Sequence, residues 1–158
     1  MKKMLMILPM ALSLSVPPVM ANSDTQISKE YVSYCEEIGM ERHVCPELLE
    51  AIIESESSGQ PDATNGPCRG LMQVNANYHT ARMQRLGVTD IYDPRGNISV
   101  GCDILVELFE TYGDNIQKVL MLYNGSQNAI ERANRLDFSE YAEKITERST
   151  ELERAHGK

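Results

Sequence analysis

The residue best placed to do chemistry is Glu56, near the end of a helix expected from Pro46 to about Ser57. Pro46 suits a first helical turn, where its missing N–H costs nothing. Turning that helix at about 100° per residue with Leu48 at zero puts Ile52 at about 40°, Leu49 at about 100° and Ile53 at about 140°. Glu56 falls at about 80°, inside this apolar face, whereas Glu47, Glu50 and Glu54 fall between about 200° and 260°, on a face expected to meet water. A carboxyl at the end of an apolar stripe loses part of its hydration. That loss disfavours the charged form, raises the pKa and yields an acid able to hold a proton near neutral pH. The competing assignment is that Glu56 caps a neighbouring helix or pairs with an arginine such as Arg69.

The other reactive side chains suggest structure rather than catalysis. Asp62, Asp93 and Asp103 stand where turn or helix-cap duty accounts for them. Asn97-Ile98-Ser99 and Asn124-Gly125-Ser126 have the form of glycosylation sequons, yet each sits at a helix boundary where its residues have capping work. The cysteines Cys35, Cys45, Cys68 and Cys102 are even in number, and up to two disulfides are their natural product in an oxidising compartment. Sequence does not choose among the pairings. Loop economy favours Cys35 with Cys45 across a turn and Cys68 with Cys102 across the next long loop. No metal is expected, because neither the cysteines nor His43 beside Cys45 have the close spacing of a structural zinc site. No glycine-rich phosphate loop is present, so no cofactor is expected either.

The elements that must position Glu56 are helices, and no sustained strand-type alternation occurs. A first helix is predicted from about Ser28 to Ile38, stopped by Gly39, and the Pro46 helix follows. Gly59 to Arg69 is rich in turn formers and is predicted to be a structured loop, with short extended pieces near Thr64 to Cys68. Further helices are predicted from about Asn77 to Leu86, closed by Gly87, and after Asp93-Pro94 to about Tyr112, closed by Gly113. Asp114 is expected to cap a helix carrying Ile116, Val119, Leu120 and Tyr123. Another runs from Ser126 to about Arg135, and a last one carries Tyr141, Ala142 and Ile145.

Lys2 and Lys3, the mostly apolar run Met4 to Val16, and Val19-Met20-Ala21 have the layout of a secretory signal peptide over residues 1–21. The run is short and interrupted by Pro9, Pro17 and Pro18, and no cysteine follows at a lipoprotein cleavage point. Export with release to the periplasm or exterior is therefore expected, without a stable membrane anchor. Residues 22–26 form a polar spacer, 27–150 one domain, and 151–158 a charged tail expected to fray. Cleavage removes two lysines and no acids, taking the formal charge from −8 to −10. So acidic a chain has no basic surface for nucleic acid.

Around Glu56 the residues resemble a family, the soluble lytic transglycosylases. Ala51-Ile52-Ile53, Glu56-Ser57, Pro61 and Ala63 are similar to its first motif, and Gly70-Leu71-Met72-Gln73 matches the second. Asp93-Pro94, Asn97-Ile98 and Gly101 resemble the following loop-to-helix segment, Tyr123-Asn124 the third motif, and Tyr141 with Ile145 the last. The matches occur in the family's order from about Glu47 to Ile145. The resemblance implies an all-α domain like goose-type lysozyme, with a structured active-site loop. It makes Glu56 the general acid and base, and it sets Met72, Gln73 and Asn75 along a sugar-binding groove. It also brings the hydroxyls of Tyr123 and Tyr141 to the Glu56 carboxyl. Two features depart from the pattern. The loop before Gly70 is one residue short, leaving Thr64 or Asn65 where many members have an acetamido-facing serine. The chain also has no tryptophan, so that Tyr78 and Tyr92 are the available stacking surfaces.

The activity implied is cleavage of the β-1,4 bond between N-acetylmuramic acid and N-acetylglucosamine in peptidoglycan, with 1,6-anhydro ring formation by a single glutamate. The alternatives are a hydrolytic muramidase on the same fold and a non-catalytic glycan-binding or assembly protein. A monomer is expected. Its small size suggests, by analogy, local wall opening for a secretion or conjugation apparatus.

Overall fold

Seven α-helices occupy the described residues, 25–158, of this computed structural model. The expected signal peptide and residues 22–24 lie outside that range. The helices are α1 (Lys29–Arg42), α2 (Pro46–Ser57), α3 (Thr80–Leu86), α4 (Pro94–Tyr112), α5 (Ile116–Tyr123), α6 (Ala129–Asn134) and α7 (Glu140–Ala155). The loop after α2 holds a three-stranded antiparallel meander, β1 (Thr64–Asn65), β2 (Cys68–Arg69) and β3 (Val74–Asn75), in which Thr64 faces Arg69 and Cys68 faces Asn75.

Local capping chemistry sets most boundaries. Ser28 Oγ accepts from Tyr31 N at 3.3 Å, Asp93 Oδ2 from Gly96 N at 2.7 Å, Asn115 Oδ1 from Lys118 N at 2.9 Å, and Ser139 Oγ from Ala142 N at 3.2 Å. Each bond satisfies an N–H that has no partner inside its helix. Asn115, rather than the expected Asp114, caps α5. The expected stop at Gly39 is also corrected, since α1 runs on to Arg42 and ends at His43 with φ 58°. Gly39 is a packing position instead, where a Cβ would lie 2.6 Å from the Val44 carbonyl oxygen.

The core centres on α2, whose Leu48, Leu49, Ile52 and Ile53 are buried, each worth about 1.5–3 kcal/mol of transfer free energy. α2 lies between α1 and α7, α4 packs on α1 and α5, and α5 closes on α7. This enclosure corrects the expectation that Glu47, Glu50 and Glu54 face water. α7 covers that side of α2, burying Glu47 and Glu50 more deeply than Glu56. Glu54 is clamped by Arg148, Nε to Oε2 at 2.7 Å and Nη2 to Oε1 at 3.1 Å.

The same packing orders both ends of the described chain. Thr25 Oγ1 and Gln26 N donate to Glu54 Oε1 at 3.0 and 2.7 Å, so the end of the expected spacer is docked. The expected fraying after residue 150 is likewise corrected: α7 continues to Ala155, Leu152 is buried, and Lys158 Nζ reaches Glu47 Oε1 at 2.7 Å. Asp103 is a buried mid-helix acid among Arg42, Arg82 and Arg85 rather than a cap. The four cysteines carry free thiols. Cys45, expected opposite Cys35, points its thiol at Glu47 Oε2 (3.2 Å) and Glu153 Oε1 (3.5 Å), while Cys35 and Cys102 are buried within electrostatic reach of each other. Among the described residues no helix is long and apolar enough to cross a membrane.

Candidate active site

Glu56 sits in the last turn of α2, half-buried, and its Oε1 accepts a hydrogen bond of 2.5 Å from the Tyr141 hydroxyl near the start of α7. Burial pushes the Glu56 carboxyl above the ordinary carboxylate range, and the Tyr141 bond, which favours the charged form, only partly opposes this. No other charged side chain among the described residues contributes. Burial raises the Tyr141 phenol, and the charge of Glu56 raises it further, so that this hydroxyl remains a donor. Arg69 is not a partner for Glu56. Its Nη1 donates to the carbonyls of Gly66 at 2.6 Å and Cys68 at 2.8 Å.

The wall beside Glu56 is built by the meander and braced by one buried side chain, Asn97. Its Oδ1 accepts from Met72 N at 2.8 Å, and its Nδ2 donates to the carbonyls of Arg69 at 2.9 Å and Ile91 at 2.8 Å. Asn97 is thus a cross-brace between α4 and the loop, not the boundary cap expected of it. Gly70 makes room for it: with φ 76°, a Cβ there would lie 2.2 Å from Asn97 Nδ2. Met72 does not line a groove, which corrects its expected role. Its side chain is fully buried and fills the space over Gly101, where a Cβ would meet its Sδ at 2.4 Å. What Met72 offers the site is backbone, because its carbonyl accepts the Tyr123 hydroxyl at 2.9 Å. Tyr123 therefore supports the wall rather than bonding to Glu56, although the Glu56 charge is close enough to raise its pKa.

Gln73 takes a left-handed conformation, φ 49°, and its Nε2 donates to the carbonyls of Gly70 at 2.9 Å and Ala63 at 3.2 Å. Its Oε1 is buried without a hydrogen-bond partner among the described residues. Asn75 closes a turn by accepting from Tyr78 N at 3.2 Å. Asn65 is exposed on β1, and neighbouring Thr64 shares a 3.3 Å hydroxyl contact with Tyr92. Tyr78 is 82% exposed, edge-on to His79, at the rim of a cavity of about 610 Å³ between α3, α4 and α5 that Tyr123 also lines.

The fold thus gathers Glu56, Tyr141 and Tyr123, and the Glu56 charge also reaches Cys68, whose thiol burial and that charge both raise. Sequence reasoning missed the Asn97 brace. Its signal was available: an asparagine one full turn inside a helix already capped by Asp93 has no local work to do.

Comparison with known proteins gives two matches. A stretch of 84 residues, 52% of the chain, is 39% identical to a protein named Transglycosylase from Enterobacteria phage PRD1, and the chain spans about 30% of that relative's length. Residues 33–146 match the transglycosylase SLT domain, a span that opens in α1, closes in α7 and encloses Glu56, the braced loop, Tyr123 and Tyr141. With so much of the chain matched, the protein belongs to the transglycosylase SLT domain family, and its fold is lysozyme-like.

Proposed function

We propose that the protein is a peptidoglycan lytic transglycosylase that uses Glu56 alone as acid and base. The observation that carries this reading is the Glu56 carboxyl itself: half-buried, raised above its ordinary range, held by Tyr141, and with no second carboxylate perturbing it among the described residues. Protonated Glu56 gives its proton to the oxygen bridging N-acetylmuramic acid to N-acetylglucosamine as that bond breaks and positive charge develops at the muramic acid C1. The carboxylate so formed takes the proton of the muramic acid 6-hydroxyl, whose oxygen bonds to C1. The ring closes and Glu56 is protonated again. An internal nucleophile, tethered to the reacting sugar, needs no second acid to activate a water.

The supporting residues have separate tasks. Tyr141 orients the carboxyl, Tyr123 and Asn97 hold the wall, and Gln73 ties the loop together through the Gly70 and Ala63 carbonyls. Asn65 and Asn75 lie on the same loop sheet, within the stretch along which the glycan runs. The protein acts at the wall after export, for local opening beside an envelope-crossing apparatus.

Mass spectrometry of digested peptidoglycan tests the reading. Muropeptides ending in 1,6-anhydro-muramic acid, unreactive to borohydride, are expected, and Glu56→Gln lowers turbidity loss of wall suspensions by orders of magnitude. Mainly reducible ends would replace the mechanism by hydrolysis. Full activity of Glu56→Gln would remove the single-glutamate reading altogether.

A further inference from the structure

At the other end of α2, about 14 Å from Glu56 at the helical rise of about 1.5 Å per residue, the last residues of the chain fold over two buried acids. His156 Nδ1 lies 2.9 Å from Glu47 Oε1, and Lys158 Nζ lies 2.7 Å from the same oxygen. One ligand atom from each of Glu47, Glu50 and His156 falls within 4.8 Å of the other two. Glu50 is the anomaly. Its residue is 0% exposed, and neither carboxyl oxygen has a hydrogen-bond partner among the described residues. The nearby Thr25 hydroxyl is committed to Glu54 at 3.0 Å. A carboxylate so enclosed keeps the full cost of its lost hydration. A cation between the three groups would satisfy it.

We propose that Glu47, Glu50 and His156 form a binding site for one divalent transition-metal ion of the zinc class, which ties the end of α7 to the start of α2. An imidazole nitrogen with two carboxylates is a donor set for zinc rather than for magnesium or calcium, which take oxygen. Two ligand atoms on tetrahedral zinc stand about 3.3 Å apart when each is bonded at about 2.0–2.1 Å. The His156–Glu47 pair at 2.9 Å is close to that spacing, and a Glu50 carboxyl oxygen lies within 4.8 Å of both ligand atoms. The Cys45 thiol donates to Glu47 Oε2 at 3.2 Å and orients that carboxylate from outside the coordination shell. Lys158 is half exposed, so its pair with Glu47 is readily given up to a doubly charged ion. His156 is partly exposed and leaves an entry path. Local spacing could not reveal such a site, because Glu47 and His156 are 109 residues apart.

The test is zinc titration of the full chain, stripped of metal, against a competing chromophoric chelator, with cobalt as spectroscopic probe. One zinc per chain and a raised melting temperature are expected. His156→Ala, at a partly exposed position that does not threaten folding, should weaken zinc binding by about tenfold or more, as should Glu50→Gln if it folds. Absence of stoichiometric zinc uptake, or wild-type zinc affinity in His156→Ala, would overturn the proposal. So would an intense thiolate-to-cobalt band, which would place the ion on the cysteines.

Discussion

Asn97 offers the sharpest test of how the wall beside Glu56 is held. Its amide satisfies three backbone groups at once: the Met72 N–H and the carbonyls of Arg69 and Ile91. Each buried group left without a partner costs about 1–3 kcal/mol. Because the losses share one site and do not simply add, Asn97→Ala should cost about 3–5 kcal/mol, a large part of the about 5–15 kcal/mol that stabilises a domain. Asn97→Asp separates hydrogen bonding from cavity formation. The variant keeps the shape and the acceptor for Met72 N, but sets an oxygen where Nδ2 faced two carbonyls at 2.9 and 2.8 Å. Ionised, that oxygen meets only acceptors; protonated, it can donate to one of them. The folded state therefore holds its proton above the unfolded value of about 3.9, and stability falls as pH rises past that value by about 1.4 kcal/mol per pH unit, until the folded pKa is passed. Urea unfolding followed by circular dichroism at about pH 5 and about pH 6 should show the gap to wild type widening by about 1.4 kcal/mol. A gap that stays constant or narrows would refute the account of Asn97 as a donor to two buried carbonyls.

Three further outcomes follow from the same geometry. Tyr141→Phe removes the bond that favours ionised Glu56, so the alkaline limb of the pH–activity profile should move to higher pH while the fold, checked by thermal melting, is kept. Burial acts to raise Asp103, but Arg85 and Arg82 outweigh it and hold the carboxyl below its ordinary range. The stability it contributes is complete above the unfolded value of about 3.9 and drains as pH falls below it, so Asp103→Asn should flatten the acid branch of the stability profile measured by urea unfolding. Gly70→Ala combines φ 76° with a Cβ 2.2 Å from Asn97 Nδ2 and 3.0 Å from the Ile91 carbonyl oxygen. It should cost about 2–4 kcal/mol in calorimetry, with activity falling alongside.

Much of the helical framework was legible in the sequence because its determinants are local. Pro46 and Pro94 open helices by preset φ, Gly87 and Gly113 close them, and Asp93 caps through its own side chain. Glu56 was legible for the same reason, since its place at the end of an apolar stripe depends only on spacing along α2. Spacing says nothing of what covers a face. The arc holding Glu47, Glu50 and Glu54 was expected to meet water, and it became an interior surface only because α7, arriving from about a hundred residues downstream, lies across it, with Arg148 on the helix and His156 and Lys158 just past its end. Met72 illustrates the same limit: its motif suggested a groove residue, but the open space over Gly101 belongs to α4 and drew the side chain inward. Asn97, Tyr123 and the Met72 backbone form one hydrogen-bonded wall only after α4 and α5 have packed. Local chemistry therefore determined most helix starts and several helix ends, and it set Glu56 at the end of an apolar stripe. Tertiary packing decided which polar groups are stripped of water, because desolvation depends on the whole of a residue's surroundings and not on its neighbours in the chain.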